Sequence, residues 1–227
     1  MRDAFHEDLD RISDQLVEMT HLASSAMSRA TTALLDADIS LAESVIESDA
    51  QIDQLREDLD MLAIQLLARQ QPVATDLRIV VTAMRMSSDI ERMGDLARHV
   101  AKVARLRFPH SAIPADLRAT ILQMGQVAER IVEKAGSIIA AKDAEAARTL
   151  EKDDDAMDDL HRELFSKLSD DWAHGTESAV DITLVGRYYE RFADHAVSVA
   201  RRVVFLVTGE WEPESVIDHE EAEDARG

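Results

Sequence analysis

Two stretches of this chain carry the same pair of acids at the same spacing. Glu91-Arg92-Met93-Gly94-Asp95-Leu96-Ala97 and Glu190-Arg191-Phe192-Ala193-Asp194-His195-Ala196 both read Glu-Arg-x-small-Asp-x-Ala. On an α-helix, residues four apart are neighbours on one face, about 6 Å along the axis, so each motif projects two carboxylates in one direction. Such a pair repels itself and needs compensation. The adjoining arginine would make it a surface ion pair, and a bound cation would make it a metal site. The spacing alone does not choose between them, because a chain this acidic yields roughly nine acidic i,i+4 pairs by chance. Chance does not readily repeat the pair with its Arg and Ala in both halves of a duplication.

The duplication is visible away from the motifs. Shifting the chain by 105 places lays Asp38-Ile39-Ser40-Leu41-Ala42 on Asp143-Ala144-Glu145-Ala146-Ala147, sets Asp49, Asp53 and Leu55 on Asp154, Asp158 and Leu160, and brings Met19 onto Met124. Further on the offset falls to 99, so that Glu91 meets Glu190, and the lost residues fall where both halves carry loop punctuation, Gln70-Gln71-Pro72 and His174-Gly175-Thr176. A repeat of this length is too long for a solenoid unit and suits two small domains or two halves of an elongated bundle.

Those acids must sit on helices, and the composition supplies little else. There is no Cys, there are 7 Gly and 4 Pro, and aromatics make up 4% of the residues, which leaves scant material for a buried sheet. Helical periodicity and breakers predict six long helices, over about Asp3 to Leu35, from a cap at Asp38 to Pro72, from Thr75 as N-cap to Phe108, and over Ala115 to Ala141, Asp143 to Trp172 and Thr176 to Val207, with Thr208-Gly209 as a stop. Three antiparallel helices per half predict an all-α protein of two tandem three-helix bundles. Residues 1–108 form the first, 109–114 with Pro109 and Pro114 the linker, and 115–209 the second. Residues 210–227 hold eight acidic side chains and little apolar surface, which predicts a disordered acidic tail. The alternative is one irregular helical domain.

Class exclusions follow from charge and hydropathy. A net charge of −20 repels the phosphate backbone over most of the surface, so nucleic acid is not an expected partner. The opening Met1 to Asp8 is charged throughout, unlike a secretory signal, and the densest apolar run, Val203 to Val207, is far too short to span a bilayer. The expected location is the cytoplasm.

If the second and third helices of each half pack antiparallel, Asp49 and Asp53 approach Glu91 and Asp95, and Asp154 and Asp158 approach Glu190 and Asp194. Clusters of oxygen donors suit Mg²⁺, Mn²⁺ or Fe, and the absence of thiols rules out a Cys-based zinc site. The competing expectation is a solvated acidic face tied up by Arg92 and Arg191.

These motifs carry a family resemblance. The chain resembles the PhoU family of phosphate-uptake regulators over about residues 1–212, through the tandem Glu-Arg-x-x-Asp motifs, the Asp49-x-x-Ile52-Asp53-x-Leu55 element with its echo Asp154-x-x-Met157-Asp158-x-Leu160, and Gln70-Gln71-Pro72-Val73-Ala74-Thr75-Asp76-Leu77-Arg78. The resemblance implies a cytoplasmic, homodimer-prone protein that acts with the ATPase of the phosphate ABC transporter and with a sensor histidine kinase. It would restrain uptake and silence phosphate-starvation signalling when phosphate is plentiful, meeting the membrane only through its partners. It also implies divalent Fe, Mn, Mg or Zn on the paired acids. The family pattern continues Asp-His-Ala-x-Asn, whereas here the copies read Asp95-Leu96-Ala97-Arg98-His99 and Asp194-His195-Ala196-Val197-Ser198. Neither keeps the Asn. His99 or His195 would be a replacement nitrogen ligand or an ordinary hydrogen-bonding helix residue.

Catalysis is not the expectation. Di-iron bundles use Glu-x-x-His on two helices. Glu18-x-x-His21 maps onto Gln123 and Gln126, and Asp158-x-x-His161 maps onto Asp53 and Arg56, so neither is repeated. No glycine-rich phosphate loop or serine elbow is present. The alternatives to a metal-binding regulator are a metal-free helical adaptor and, remotely, a carboxylate-bundle metalloenzyme.

Overall fold

The computed structural model describes residues 2–169 and 172–211. Six helices account for almost all of them: α1 (Arg2–Asp36), α2 (Ile39–Gln70), α3 (Thr75–Arg107), α4 (Arg118–Ala141), α5 (Ala144–Ser169) and α6 (Gly175–Thr208). No strand occurs among the described residues. The expected acidic tail lies outside them from residue 212 onward, while Trp211 sits edge-on to Phe205 at 5.7 Å between ring centroids.

The helix ends follow their sequence signals with three corrections. Asp38 caps α2 by accepting from the Leu41 N–H at 3.0 Å, its repeat counterpart Asp143 accepts from Glu145 and Ala146 N–H groups, and Gly209 closes α6 in the left-handed conformation (φ 80°). Thr75 is not the cap of α3 but its first residue. Ala74 precedes it at φ 50° without any side-chain cap, and Thr75 Oγ1 accepts from Arg78 instead. The stretch before Arg118 turns rather than joining α4, because Pro114 and the turn it opens (Leu117 N–H to Pro114 O, 3.0 Å) intervene. Trp172 lies beyond α5, its Nε1–H donating to Gly175 O at 2.8 Å.

Each half is a three-helix bundle, and the two bundles lie against each other. Among the described helices, α2 packs only on α1 and α3, and α5 only on α4 and α6, so these two are the outermost of the six. The bundles meet through α1 on α4 and α3 on α6, and the buried apolar side chains run without interruption across that seam.

The seam has a reciprocal design. A Cβ on Gly136 would lie 2.5 Å from Thr20 Oγ1, and a Cβ on Gly125 would lie 2.7 Å from Thr31 Oγ1, so α1 and α4 approach antiparallel at a distance only glycine permits. Under the 105-place offset Thr20 corresponds to Gly125 and Thr31 to Gly136. Each contact is therefore the other turned about a local two-fold axis. Both threonine hydroxyls donate back into α1, to Val17 O and Met27 O, and Thr31 also shares a hydrogen bond with the fully buried Tyr189 hydroxyl at 2.7 Å.

Polar contacts lock the α3–α6 side. Asp89 accepts from Arg202 Nε at 2.7 Å and faces His195 Nδ1 at 3.2 Å, His99 stacks on Tyr188 at 5.2 Å, and Arg107 holds buried Asp181 through two hydrogen bonds of 2.6 and 3.0 Å and reaches Glu177. Burial opposes ionisation of Asp89, but the bonds from His195 and Arg202 outweigh it and hold the carboxyl below its ordinary range.

Candidate metal centre

The antiparallel pairing of α2 with α3, and of α5 with α6, brings together the acids that the sequence singled out. In the first half Asp49 lies near Asp53, Glu91 and Asp95, and in the second Asp154 lies near Asp158, Glu190 and Asp194. Each set spans two helices at mid-length, one turn apart on each. As their side chains stand, no three acidic or imidazole groups among the described residues are gathered around a common ion position.

The two clusters differ in what balances their charge. In the first, Arg98 extends from α3 and forks between the helices, one guanidinium N–H group donating to Asp49 on α2 and the other to Asp95 on α3. Arg92 adds a 3.0 Å bond to Asp95. Close packing beneath makes the fork possible: a Cβ on Gly94 would lie 2.8 Å from Ile52 Cδ1 and 3.2 Å from Asp49 Oδ1, so Asp49 is pressed to 5% exposure against α3. Burial raises the Asp49 pKa, partly offset by Arg98 and reinforced by Asp53, Asp95 and Glu91. The Glu91 pKa is raised for the same reasons, burial first and Asp95 next, against Arg92 and Arg56.

The second cluster lacks that fork. Its counterpart of Arg98 is Val197, buried in the core, and its counterpart of Arg56 is His161. The expected partner Arg191 is exposed, and it is Arg187, one turn earlier on α6, that pairs with Glu190. Asp154 Oδ1 and Glu190 Oε2 are buried without a hydrogen-bond partner. Burial, then Asp158, Asp194 and Glu190, push the Asp154 carboxyl up to about 7, and burial with Asp194 raises Asp158 as well. Glu190 is raised by burial and Asp194 despite Arg187. Oxygens without donors thus stand beside exposed carboxylates at Asp158 and Asp194, whereas Arg98 bridges the first cluster.

The histidines sort differently from their sequence positions. His99 and His195 both point into the α3–α6 seam, against Tyr188 and Asp89. His161, whose motif is unrepeated, is the imidazole beside the second cluster: Asp158 and Asp194 act on it, and its buried Nε2 lies without a partner 3.7 Å from where a Cβ on Gly186 would be. Glu18 and His21 are exposed on α1. Arg98 and Arg187 are the site residues that motif reading passed over, and His161 is one it named only to set aside as unrepeated. The replacement of Arg98 by Val197 was the signal that could have found the first.

A profile of the PhoU domain matches residues 16–104 and again 121–203, one copy per bundle. The chain belongs to the PhoU family. Phosphate-specific transport system accessory protein PhoU homolog 2 of Mycobacterium tuberculosis is 51% identical over 210 residues, covering 92% of this chain and 99% of its own. PhoU homolog 1 of Mycobacterium leprae is 48% identical, covering 96% and 98%. Among solved structures, PhoU from Pseudomonas aeruginosa superposes with a TM-score of 0.80 at 30% identity, over 91% of this chain and all of that one. The phosphate transport system regulatory protein PhoU from Streptococcus pneumoniae gives 0.81 at 25%, over 92% and 99%. The six-helix architecture of two tandem bundles is thus the family's. No helix among the described residues is long and apolar enough to cross a membrane.

Proposed function

We propose that this protein is an accessory regulator of phosphate transport that acts by contact rather than turnover. It would restrain the phosphate ABC transporter through its ATPase, and starvation signalling through a sensor histidine kinase, from the cytoplasm and as a homodimer. The observation that carries this reading is the match of the PhoU domain to both halves, residues 16–104 and 121–203, alongside relatives named as transport accessory proteins. Deletion of the protein should switch starvation-gene expression on in phosphate-rich medium, and residues 1–212 should restore repression. Unchanged expression in a deletion strain free of a second copy would refute the regulator reading.

Metal enters the proposal at the second cluster. Asp154, Asp158, Glu190 and Asp194 would hold a divalent ion such as Mn²⁺ or Fe²⁺, with His161 available as a nitrogen donor, which suits these metals or zinc better than Mg²⁺. The ion would neutralise the mutually repelling carboxylates and tie α5 to α6. Mn²⁺ should then raise the melting temperature by linkage, and the quadruple change Glu91→Ala, Asp95→Ala, Glu190→Ala, Asp194→Ala should abolish that rise. A metal-free adaptor is the second reading, favoured by the guanidinium in the first cluster. An undiminished Mn²⁺ effect in the quadruple variant would place the metal elsewhere, and no effect in the wild type would leave the adaptor.

A further inference from the structure

We propose that the acidic segment after Trp211, residues 212–227, docks on the outer face of α3 in its own chain, along the strip that runs from Leu77 to Ser88. The inference is independent of the role in phosphate transport and of any metal.

The docking face is unlike the rest of this surface. In a chain of net charge −20, residues 77–88 include Arg78 and Arg85 and no acid, and Arg69 stands just before them in the last turn of α2. The repeat sharpens the contrast: the matching stretch of α6, residues 176–187, carries Glu177 and Asp181 against Arg187 alone. Leu77 and Val81 lie one turn apart on the strip and are 41% and 37% exposed. Arg69 and Arg85 are exposed too, and neither has an acidic partner among the described residues. Arg78 reaches Thr75 Oγ1 only at 3.4 Å, and its Nε is buried without a hydrogen-bond partner.

Helix α6 ends beside this strip. Arg78 stands 5.8 Å over the ring of Phe205, Gly209 closes the helix against the same guanidinium, and Trp211 is edge-on to Phe205. Trp211, the last described residue, thus shares the Phe205 ring with Arg78. From Arg78, Val81 lies about 5 Å and Arg85 about 10 Å further along α3. The six residues from Trp211 to Ile217 span up to about 20 Å when extended, so the strip is within reach.

The sequence of the segment supplies the matching chemistry. Glu212, Glu214 and Asp218 flank Val216-Ile217, the two large aliphatic side chains in residues 212–227. Carboxylates around an aliphatic pair complement arginines around Leu77 and Val81, and docking of this kind needs no core of the segment's own. Each surface ion pair is weak and screened by salt. The tether compensates: it sets an effective concentration of roughly 1 mM, so at micromolar protein the segment outcompetes that of a second copy by about a thousandfold. An acidic partner that uses this face has to displace the segment first.

The chain contains no Cys, so disulfide trapping reads the contact without background. The probe is Ile217→Cys in full-length protein, paired either with Val81→Cys on the strip or with Asp10→Cys on α1. Asp10 lines a hollow together with Leu206 and so lies at the same end of the molecule. Val81, Arg85 and Asp10 are all exposed, so none of these changes disturbs the core. Under mild oxidation at micromolar protein, the intrachain disulfide should form about tenfold faster with Val81→Cys than with Asp10→Cys, read on non-reducing gels. Adding Arg85→Glu, or raising NaCl to about 1 M, should each erase most of that preference. Equal rates at the two positions, a preference for Asp10→Cys, or a preference that survives Arg85→Glu or salt would overturn the proposal. Disulfide-linked dimers in place of the intrachain product would move the contact to a second copy and overturn it as well.

Discussion

The two acid clusters are the same four carboxylates solved in opposite ways. Around Asp49 the protein supplies its own counter-charge from Arg98 and Arg92, while around Asp154 two oxygens are buried without donors and the carboxyl is pushed up to about 7. The difference teaches that duplicated acids do not by themselves specify duplicated chemistry. The residue one turn beyond the motif, arginine in one copy and valine in the other, decides whether the cluster is a finished structural element or an open one.

The largest expected effect tests what the halves still share. Gly125→Leu and Gly136→Leu should each destabilise the fold by about 3 kcal/mol, because the added side chain collides with Thr31 or Thr20 at the close α1–α4 crossing. Thermal unfolding measures it, and unequal losses would break the reciprocity of the seam. Next, the clusters should respond with opposite signs to loss of their central acid. Asp49→Ala should cost about 2 kcal/mol, because stripping Arg98 of a charge-assisted partner and emptying a packed position outweigh the relief of a carboxyl whose own pKa burial raises. Asp154→Asn, in metal-free protein at neutral pH, should instead stabilise by about 1 kcal/mol once the raised pKa is discounted for solvent screening. Equal signs in denaturant unfolding would erase the distinction drawn between the two halves.

The same contrast appears in pH dependence. A carboxyl whose pKa rises from 3.8 unfolded to about 7 folded holds its proton longer in the native state, so its contribution to stability is best below pH 4 and declines as pH rises to 7. Metal-free wild type should therefore lose stability over that range, and Asp154→Asn should flatten the slope. Asp89 at the seam behaves in reverse, because its folded pKa is depressed: its stabilisation is present above the unfolded value near 3.8 and is lost as pH falls below it. Asp89→Asn, the smallest effect, should cost about 1 kcal/mol at neutral pH and nothing further in acid. A urea series from pH 3 to 8 distinguishes the two carboxyls.

Much of this was legible in the chain. Helical periodicity located all six helices, and the 105- and 99-place offsets located the acids on matching faces, because both depend on local spacing. Arg98 was not found, since its partner Asp49 is 49 residues away and the guanidinium reaches it only once Gly94 has brought α2 close. Arg191, adjacent in sequence to Glu190, lost the ion pair to Arg187 because side chains one residue apart diverge by about 100° around a helix while those three apart converge. His99 and His195 were read as possible ligands from the motif beside them. The packing of α3 on α6, which no single helix encodes, turns both into the seam.

The reciprocal Thr20–Gly136 and Thr31–Gly125 contacts have a genetic consequence. In a symmetric pair of separate subunits every substitution is made twice, so a cluster cannot keep its arginine on one side and lose it on the other. Joining both copies in one chain releases each from its twin while the shared threonine and glycine geometry keeps them docked. One codon can then change the second cluster alone, with the first left to hold the bundle together.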